Sequence, residues 1–112
     1  MASSNVANTI KQLNQARNIC LADPNGLYPQ IVPGLSPVIT AVAELEVRRW
    51  GTSFYAETFA SPVLAPDNKQ KLCIHILDGL KDILEKEAED ATVLANVVQT
   101  AASIYPFVFR HM

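Results

Sequence analysis

The chain has 112 residues, of which 49% are apolar and 18% charged, which suits one folded domain and is too hydrophobic for a disordered segment. Nine basic against eleven acidic residues leave a net charge of −2, so no overall positive field exists to hold a phosphate backbone, and non-specific nucleic-acid binding is excluded as the main activity. Cys20 and Cys73 lie far apart without a CxxC partner, which excludes a zinc ribbon, a thioredoxin-like motif and a disulfide framework and points to a reducing compartment, and only four glycines are left to build phosphate loops.

The amino terminus, from Met1 to Asn8, has neither a basic n-region nor an apolar h-region, so nothing in it directs export. The first helix is expected from about Ser4 to Leu21, with Ser3 or Ser4 as N-cap and Val6, Ile10, Leu13, Ile19 and Cys20 as a loose apolar stripe. Asp23-Pro24-Asn25-Gly26 is a turn: an acceptor side chain, a fixed φ, then a permissive residue. Beyond it Leu27, Tyr28, Ile31, Val32, Leu35, Val38 and Ile39 repeat at three- and four-residue intervals, with Pro29, Pro33 and Pro37 inside the pattern. An interior proline costs a helix about 3 kcal/mol, so this second helix is expected to be short, kinked or broken near Gly34-Leu35-Ser36-Pro37.

A third helix, from about Glu44 to Ala60, has Glu44 and Glu46 in its first turn and Val47, Trp50, Gly51, Phe54 and Thr58 on one face, and Ser61-Pro62 ends it. Ala65-Pro66-Asp67-Asn68 opens a fourth, to about Lys86, with the clearest apolar stripe: Leu72, Cys73, Ile76, Leu77, Leu80, Ile83 and Leu84. Gln70, His75, Asp78, Asp82 and Glu85 are assigned to its opposite face. The acidic run from Glu85 to Asp90 is expected as an exposed loop, and Asp90 or Thr92 as the cap of a fifth helix burying Val93, Leu94, Val97, Val98, Ala101, Ile104, Tyr105 and Val108. Neither uncharged stretch spans a bilayer on this pattern. Pro24 to Ala43 is broken by prolines, and Ala91 to Phe109 sets Thr92, Asn96, Gln99, Thr100 and Ser103 along one side, as in an amphipathic helix.

Five helices in antiparallel succession either close into a bundle or stack as an open array, and an array leaves self-similarity in the sequence. At an offset of fifty residues, the run Val47 to Tyr55 lies over Val97 to Tyr105, with Val, a small residue, Ser, a large apolar residue and Tyr recurring in register. That offset is close to the roughly 40–47 residues of HEAT and armadillo helix pairs.

No motif carries catalysis. Cys73 and His75 are two residues apart on a helix and so point to opposite sides, with Cys73 on the apolar stripe as a buried structural cysteine. His75, Asp78 and Asp82 share a face at three- and four-residue steps but supply only three ligands, and a solvated, charge-paired face is the preferred reading over a metal site. No cofactor is expected, since G-x-S-x-G, H-E-x-x-H, EF-hand and Walker sequences are all missing. Arg48-Arg49-Trp50 combines guanidinium forks with an aromatic ring, but Trp50 falls on the buried stripe and Glu44 precedes Arg48 by four, so structural arginines are expected. Lys69 and Lys71 are taken as solubilising charges at a helix start. The end from Tyr105 to Met112 is apolar on several sides and has no C-cap glycine, as at the cut edge of a repeat stack. Either further repeats follow or the edge from Tyr105 to Phe109 meets a partner, self-association included.

Several segments carry a family resemblance: Gln12-Leu13-Asn14-Gln15-Ala16-Arg17, Asp23-Pro24, Leu27-Tyr28-Pro29-Gln30-Ile31-Val32-Pro33-Gly34, Glu46-Val47-Arg48-Arg49-Trp50 and Ala101-Ala102-Ser103-Ile104-Tyr105-Pro106. In that order, from Thr9 to Arg110, the chain resembles the amino-terminal HEAT domain of the symplekin family, and most of all its fungal counterpart, the scaffold subunit of the pre-mRNA cleavage and polyadenylation factor. The resemblance implies an all-α, HEAT/armadillo-like stack, with residues 1–112 as the amino-terminal part of the repeat domain. It also implies a nuclear, non-catalytic scaffold whose partners are proteins of the cleavage and polyadenylation complex and the phosphatase of the RNA polymerase II carboxy-terminal domain. The family domain has further helix pairs, so no individual binding residue is transferred. A self-contained helical adaptor with unrelated partners is the second reading, and a small enzyme or metal protein using His75 the third.

Overall fold

The computed structural model describes residues 2–41, 45–87 and 90–109. They form five α-helices and, among the described residues, no strand: α1 (Ala2–Ala22), α2 (Pro24–Ala41), α3 (Leu45–Ala60), α4 (Pro66–Glu87) and α5 (Ala91–Phe109). The all-α class is as expected.

In α1 the buried residues Val6, Leu13 and Cys20 recur every seven positions, about two turns, so the helix touches its neighbours along a narrow seam. Ile19 lies off that seam and is 52% exposed, contrary to its placement on the stripe. The helix begins at Ala2, so Ser3 and Ser4 lie within the first turn rather than capping it, a shift of the size helix ends commonly show. Asp23 starts α2: its carbonyl accepts the Leu27 N–H at 2.9 Å, and Pro24 occupies the first helical position, where no donor is needed. The Asp23 carboxylate folds over Gly26 and fills the space a Cβ would take.

The largest departure from expectation is α2, which runs unbroken for 18 residues with Pro29, Pro33 and Pro37 inside it. Each proline follows a buried residue, Tyr28, Val32 or Ser36, and Ile39 extends the same buried stripe by one turn. A residue before proline ordinarily avoids the helical region, and here packing overrides that preference. Each proline costs about 3 kcal/mol, and each fully buried Tyr28, Val32 or Ile39 side chain returns roughly 1.5–3 kcal/mol, with half-buried Ile31 and Leu35 adding to it. Pro29 has no N–H for the Asn25 carbonyl, and Asn68 of α4 donates to that carbonyl instead, at 3.3 Å.

α3 ends at Ala60, before Ser61-Pro62, and Pro66 opens α4 with the Ala65 carbonyl accepting from the Asn68 and Lys69 amides. α4 continues to Glu87, so Glu85, Lys86 and Glu87 are helix rather than loop, while Ala88 and Glu89 lie outside the described residues. Asp90 is the cap of α5, its carboxylate accepting the Val93 N–H at 2.9 Å, and Thr92 sits inside the helix.

The helices lie in two layers. α1, α3 and α5 are side by side in one, and α2 and α4 in the other. From α3 onward each helix rests on the two before it, and α3 touches all four others. Among the described residues α1 meets neither α4 nor α5, and α2 does not meet α5. A smallest extent of 19 Å matches two layers of helices whose axes are about 8–10 Å apart. α3 is the hub: it buries Val47, Gly51, Phe54, Tyr55 and Phe59, and Gly51 lets Ile39 of α2 come against its backbone. Trp50, Phe54 and Tyr28 stack in sequence, with ring centroids 5.1 and 6.0 Å apart and planes within 16° and 20°. No described helix is long and apolar enough to cross a membrane.

Candidate protein-interaction surface

The buried face of α5 is rotated from the amphipathic reading toward the polar side, so that Thr100 and Asn96 meet α3 while Thr92 and Gln99 stay exposed. Thr100 is fully buried and donates to the Asn96 carbonyl at 2.7 Å, and Asn96 donates to Thr52 Oγ1 at 3.2 Å. Val93, Val97 and Ile104 are buried as expected, but Val98 is 67% and Tyr105 63% exposed, Ala101 is exposed, and the Val108 side chain lies outside the described residues. On α4, Leu72, Cys73, Ile76, Leu80 and Ile83 are buried, whereas Leu77 and Leu84, assigned to the same stripe, stand on its shoulder, 38% and 37% exposed. Between the two helices these shoulders enclose an apolar groove of about 420 Å³, floored by Leu80 and Val97, walled by Leu77, Leu84 and Ala101, and flanked by Lys81 and Glu85.

The edge from Tyr105 to Phe109 divides. Phe107 turns inward against Phe59, with centroids 6.4 Å apart, and its carbonyl accepts from Gln70 at 3.0 Å. Tyr105 faces outward, and the side chains beyond Phe107 lie outside the described residues.

No family model matches the chain, and neither does a curated protein or a solved structure. The site is accordingly read from its own chemistry. Cys73 is buried and donates to the Gln70 carbonyl at 3.2 Å, while His75 is exposed two residues away. Burial pushes both the Cys20 and Cys73 thiols up from their ordinary values, which leaves little thiolate for nucleophilic chemistry. His75 and Asp82 are exposed, the Asp78 side chain lies outside the described residues, and among the described residues no three His, Cys, Asp or Glu side chains are arranged to hold a metal ion.

In the Arg48-Arg49-Trp50 cluster, Arg48 is 4% exposed, and Glu44, its expected partner, lies outside the described residues. Arg49 instead grips Asp90 with two hydrogen bonds of 2.6 and 3.3 Å, tying α3 to the start of α5. Trp50 is half-buried and donates to Asn14 at 2.7 Å. Lys71 is exposed and Lys69 half-buried at the start of α4.

Sequence reasoning missed a second, polar cleft of about 190 Å³ between α1 and α3, lined by Asn14, Arg17, Trp50, Ser53, Phe54 and Glu57. Arg17 donates twice to the Glu57 carboxylate, at 2.8 and 2.5 Å, and these bonds hold the guanidinium in its charged form. Both side chains are about one-third exposed, so the pair contributes on the order of 0.5–1 kcal/mol after screening. Its partners are forty positions apart, and no local spacing announces them. Asn25, read from the sequence only as a turn residue, has a long-range role for which the same reason holds: it receives the Ala65 N–H at 2.7 Å and donates to the Val63 carbonyl at 3.1 Å, fixing the α3–α4 connection to the head of α2.

Proposed function

We infer that this chain is a non-catalytic protein-interaction scaffold of the symplekin kind, working in the nucleus among the proteins of pre-mRNA 3′-end cleavage and polyadenylation. The observation that carries the reading is the two-layer stack in which each helix rests on the two before it. Such stacks present long surfaces from rigid elements, as HEAT and armadillo arrays do. The segments behind the family resemblance contribute to this framework: Tyr28 and Val32 line the buried side of α2, and Val47 and Arg48 open the buried side of α3. A net charge of −2 suits protein partners better than RNA.

Binding energy in such a scaffold comes from a few desolvated anchors, and the apolar groove between α4 and α5 offers one place for them. The test is a pull-down of the tagged chain with purified cleavage and polyadenylation subunits and with the polymerase carboxy-terminal-domain phosphatase. Retention of one of them is expected, from this chain or from one extended by further helix pairs. Failure of both forms to retain any component, with the helices intact by circular dichroism, overturns the reading.

A further inference from the structure

The polar cleft between α1 and α3 is built from pairs whose chemistry fixes their orientation. Asn14 and Arg17 are one turn apart on α1, and Trp50, Ser53 and Glu57 follow one another on α3 at steps of three and four, so each helix turns one face to the cleft. An indole N–H only donates, so the Trp50 bond turns the Asn14 oxygen toward the ring. The two N–H groups of Asn14 Nδ2 are left without a partner among the described residues. A carboxylate only accepts, and Glu57 takes the edge of Arg17 formed by Nε and Nη2. The second edge of that planar fork, formed by Nη1 and Nη2, has no partner among the described residues, and with a third of the side chain exposed it can be reached from outside. Ser53, exposed in the lining, adds a hydroxyl.

The groups left over are donors beside a fixed guanidinium, the complement of an anion that only accepts. Tyr28 adds to the same imbalance. It is 1% exposed and stacks on Phe54, a wall of the cleft, and its hydroxyl has no hydrogen-bond partner among the described residues. Burial first, and then the Glu57 charge, push that hydroxyl up, so it keeps its proton and lies in the field of the ion pair. Glu57 also limits the charge that the cleft accepts: it opposes a phosphate group, with about two negative charges, more than a carboxylate with one. A volume of about 190 Å³ suits a side chain or a chain end rather than a folded surface. We propose that this cleft binds a carboxylate carried by a peptide segment of a partner, an acidic side chain or a chain terminus. The free edge of Arg17 donates to both carboxylate oxygens, and the Asn14 amide donates to the same group. This binding holds whatever protein carries the carboxylate, so it stands apart from the role in 3′-end formation.

Trp50 is the chain's only tryptophan and lines the cleft, so its indole N–H resonance reports binding there directly. The purified chain is titrated with a short end-blocked peptide containing a glutamate and with a neutral peptide ending in a free carboxylate, which separates side chain from terminus. Saturable movement of the Trp50 resonance in the millimolar range is expected with at least one of them, and none with the end-blocked glutamine peptide. Arg17→Lys keeps the charge and loses the fork, and Asn14→Asp keeps an acceptor for Trp50 while replacing two donors by a negative charge. Each should weaken binding by roughly fivefold or more. Asn14 is exposed, so the second variant keeps its helicity even if the first does not. No movement of Trp50 with either carboxylate peptide, an equal response to the glutamine peptide, or undiminished binding by the Asn14→Asp chain overturns the proposal. So does tighter binding of inorganic phosphate, or of an end-blocked arginine peptide, than of the glutamate peptide.

Discussion

At the scale of single residues, the buried Ser36–Tyr55 hydrogen bond, 2.9 Å long, shows how unequal the two ends of one contact can be. Tyr55 is fully buried, and burial pushes its hydroxyl up to about 12, whereas Ser36 has a further interaction besides this one. Ser36→Ala is therefore expected to cost about 1–3 kcal/mol, the desolvation penalty of a stranded hydroxyl, and Tyr55→Phe less, both read from denaturant midpoints. Gly51 is a second sensitive position. A methyl there meets Ile39 Cγ2, so Gly51→Ala should destabilise the chain by about 1–2 kcal/mol, overpacking exceeding the helix-propensity gain of about 1 kcal/mol. Thermal melts of the variant check it. Asp90 is the third: the Arg49 guanidinium first, and then the Val93 amide, hold its carboxyl below the usual range. A carboxyl depressed in the folded state stabilises above its unfolded pKa, and the contribution disappears as pH falls through the folded value. Melting temperatures below about pH 4 should consequently fall less steeply for Asp90→Asn than for the parent, from a lower starting value at neutral pH.

At the scale of elements, α2 and α5 are where local rules and packing disagree. α2 keeps its helix through three interior prolines because the residue before each is buried against neighbouring helices. Pro33→Ala returns a donor to the Pro29 carbonyl and should stabilise by roughly 2 kcal/mol, the helix-interior penalty less the entropy that proline removes from the unfolded chain. A fall in the melting temperature of that variant would show that the proline ring is itself needed in the packing. α5 places hydroxyl and amide groups against α3, where Thr100 is satisfied by its own helix and Asn96 by Thr52, and turns Val98 and Tyr105 to the outside. Periodicity located the helix correctly. It placed Val93, Val97 and Ile104 correctly but set the buried face too far round, taking in Val98 and Tyr105 and leaving out Thr100, because a hydroxyl that bonds within its own helix can be buried at little cost.

At the scale of the whole molecule, α3 touches every other helix, and among the described residues α1 touches only α2 and α3, so resistance to local opening should be graded across the helices. Hydrogen exchange is expected to be slowest in α3, around Val47 to Phe59, and fastest in α1. Uniform protection across the five helices would contradict this and indicate a single cooperative unit.

Much of this architecture was legible beforehand. Ser61-Pro62, Ala65-Pro66 and Asp90 punctuate the chain through covalent properties of proline and the acceptor geometry of a short side chain, and those properties act locally. The buried stripe of α4 and the fifty-residue likeness of α3 and α5 follow from periodicity, which is also local information. The Arg17–Glu57 pair, the Arg49–Asp90 clasp, the Asn25 tie and the exposure of Leu77, Leu84, Val98 and Tyr105 were not legible. The three polar contacts join residues about forty positions apart, and a helix face becomes core or surface according to which other helix reaches it. The sequence by itself determined five helices, their approximate ends and one shared repeat register. The tertiary structure alone decided that α2 stays whole, that the buried face of α5 takes in Thr100 and leaves Val98 and Tyr105 outside, and that a groove remains between α4 and α5, because each depends on which helices pack against which.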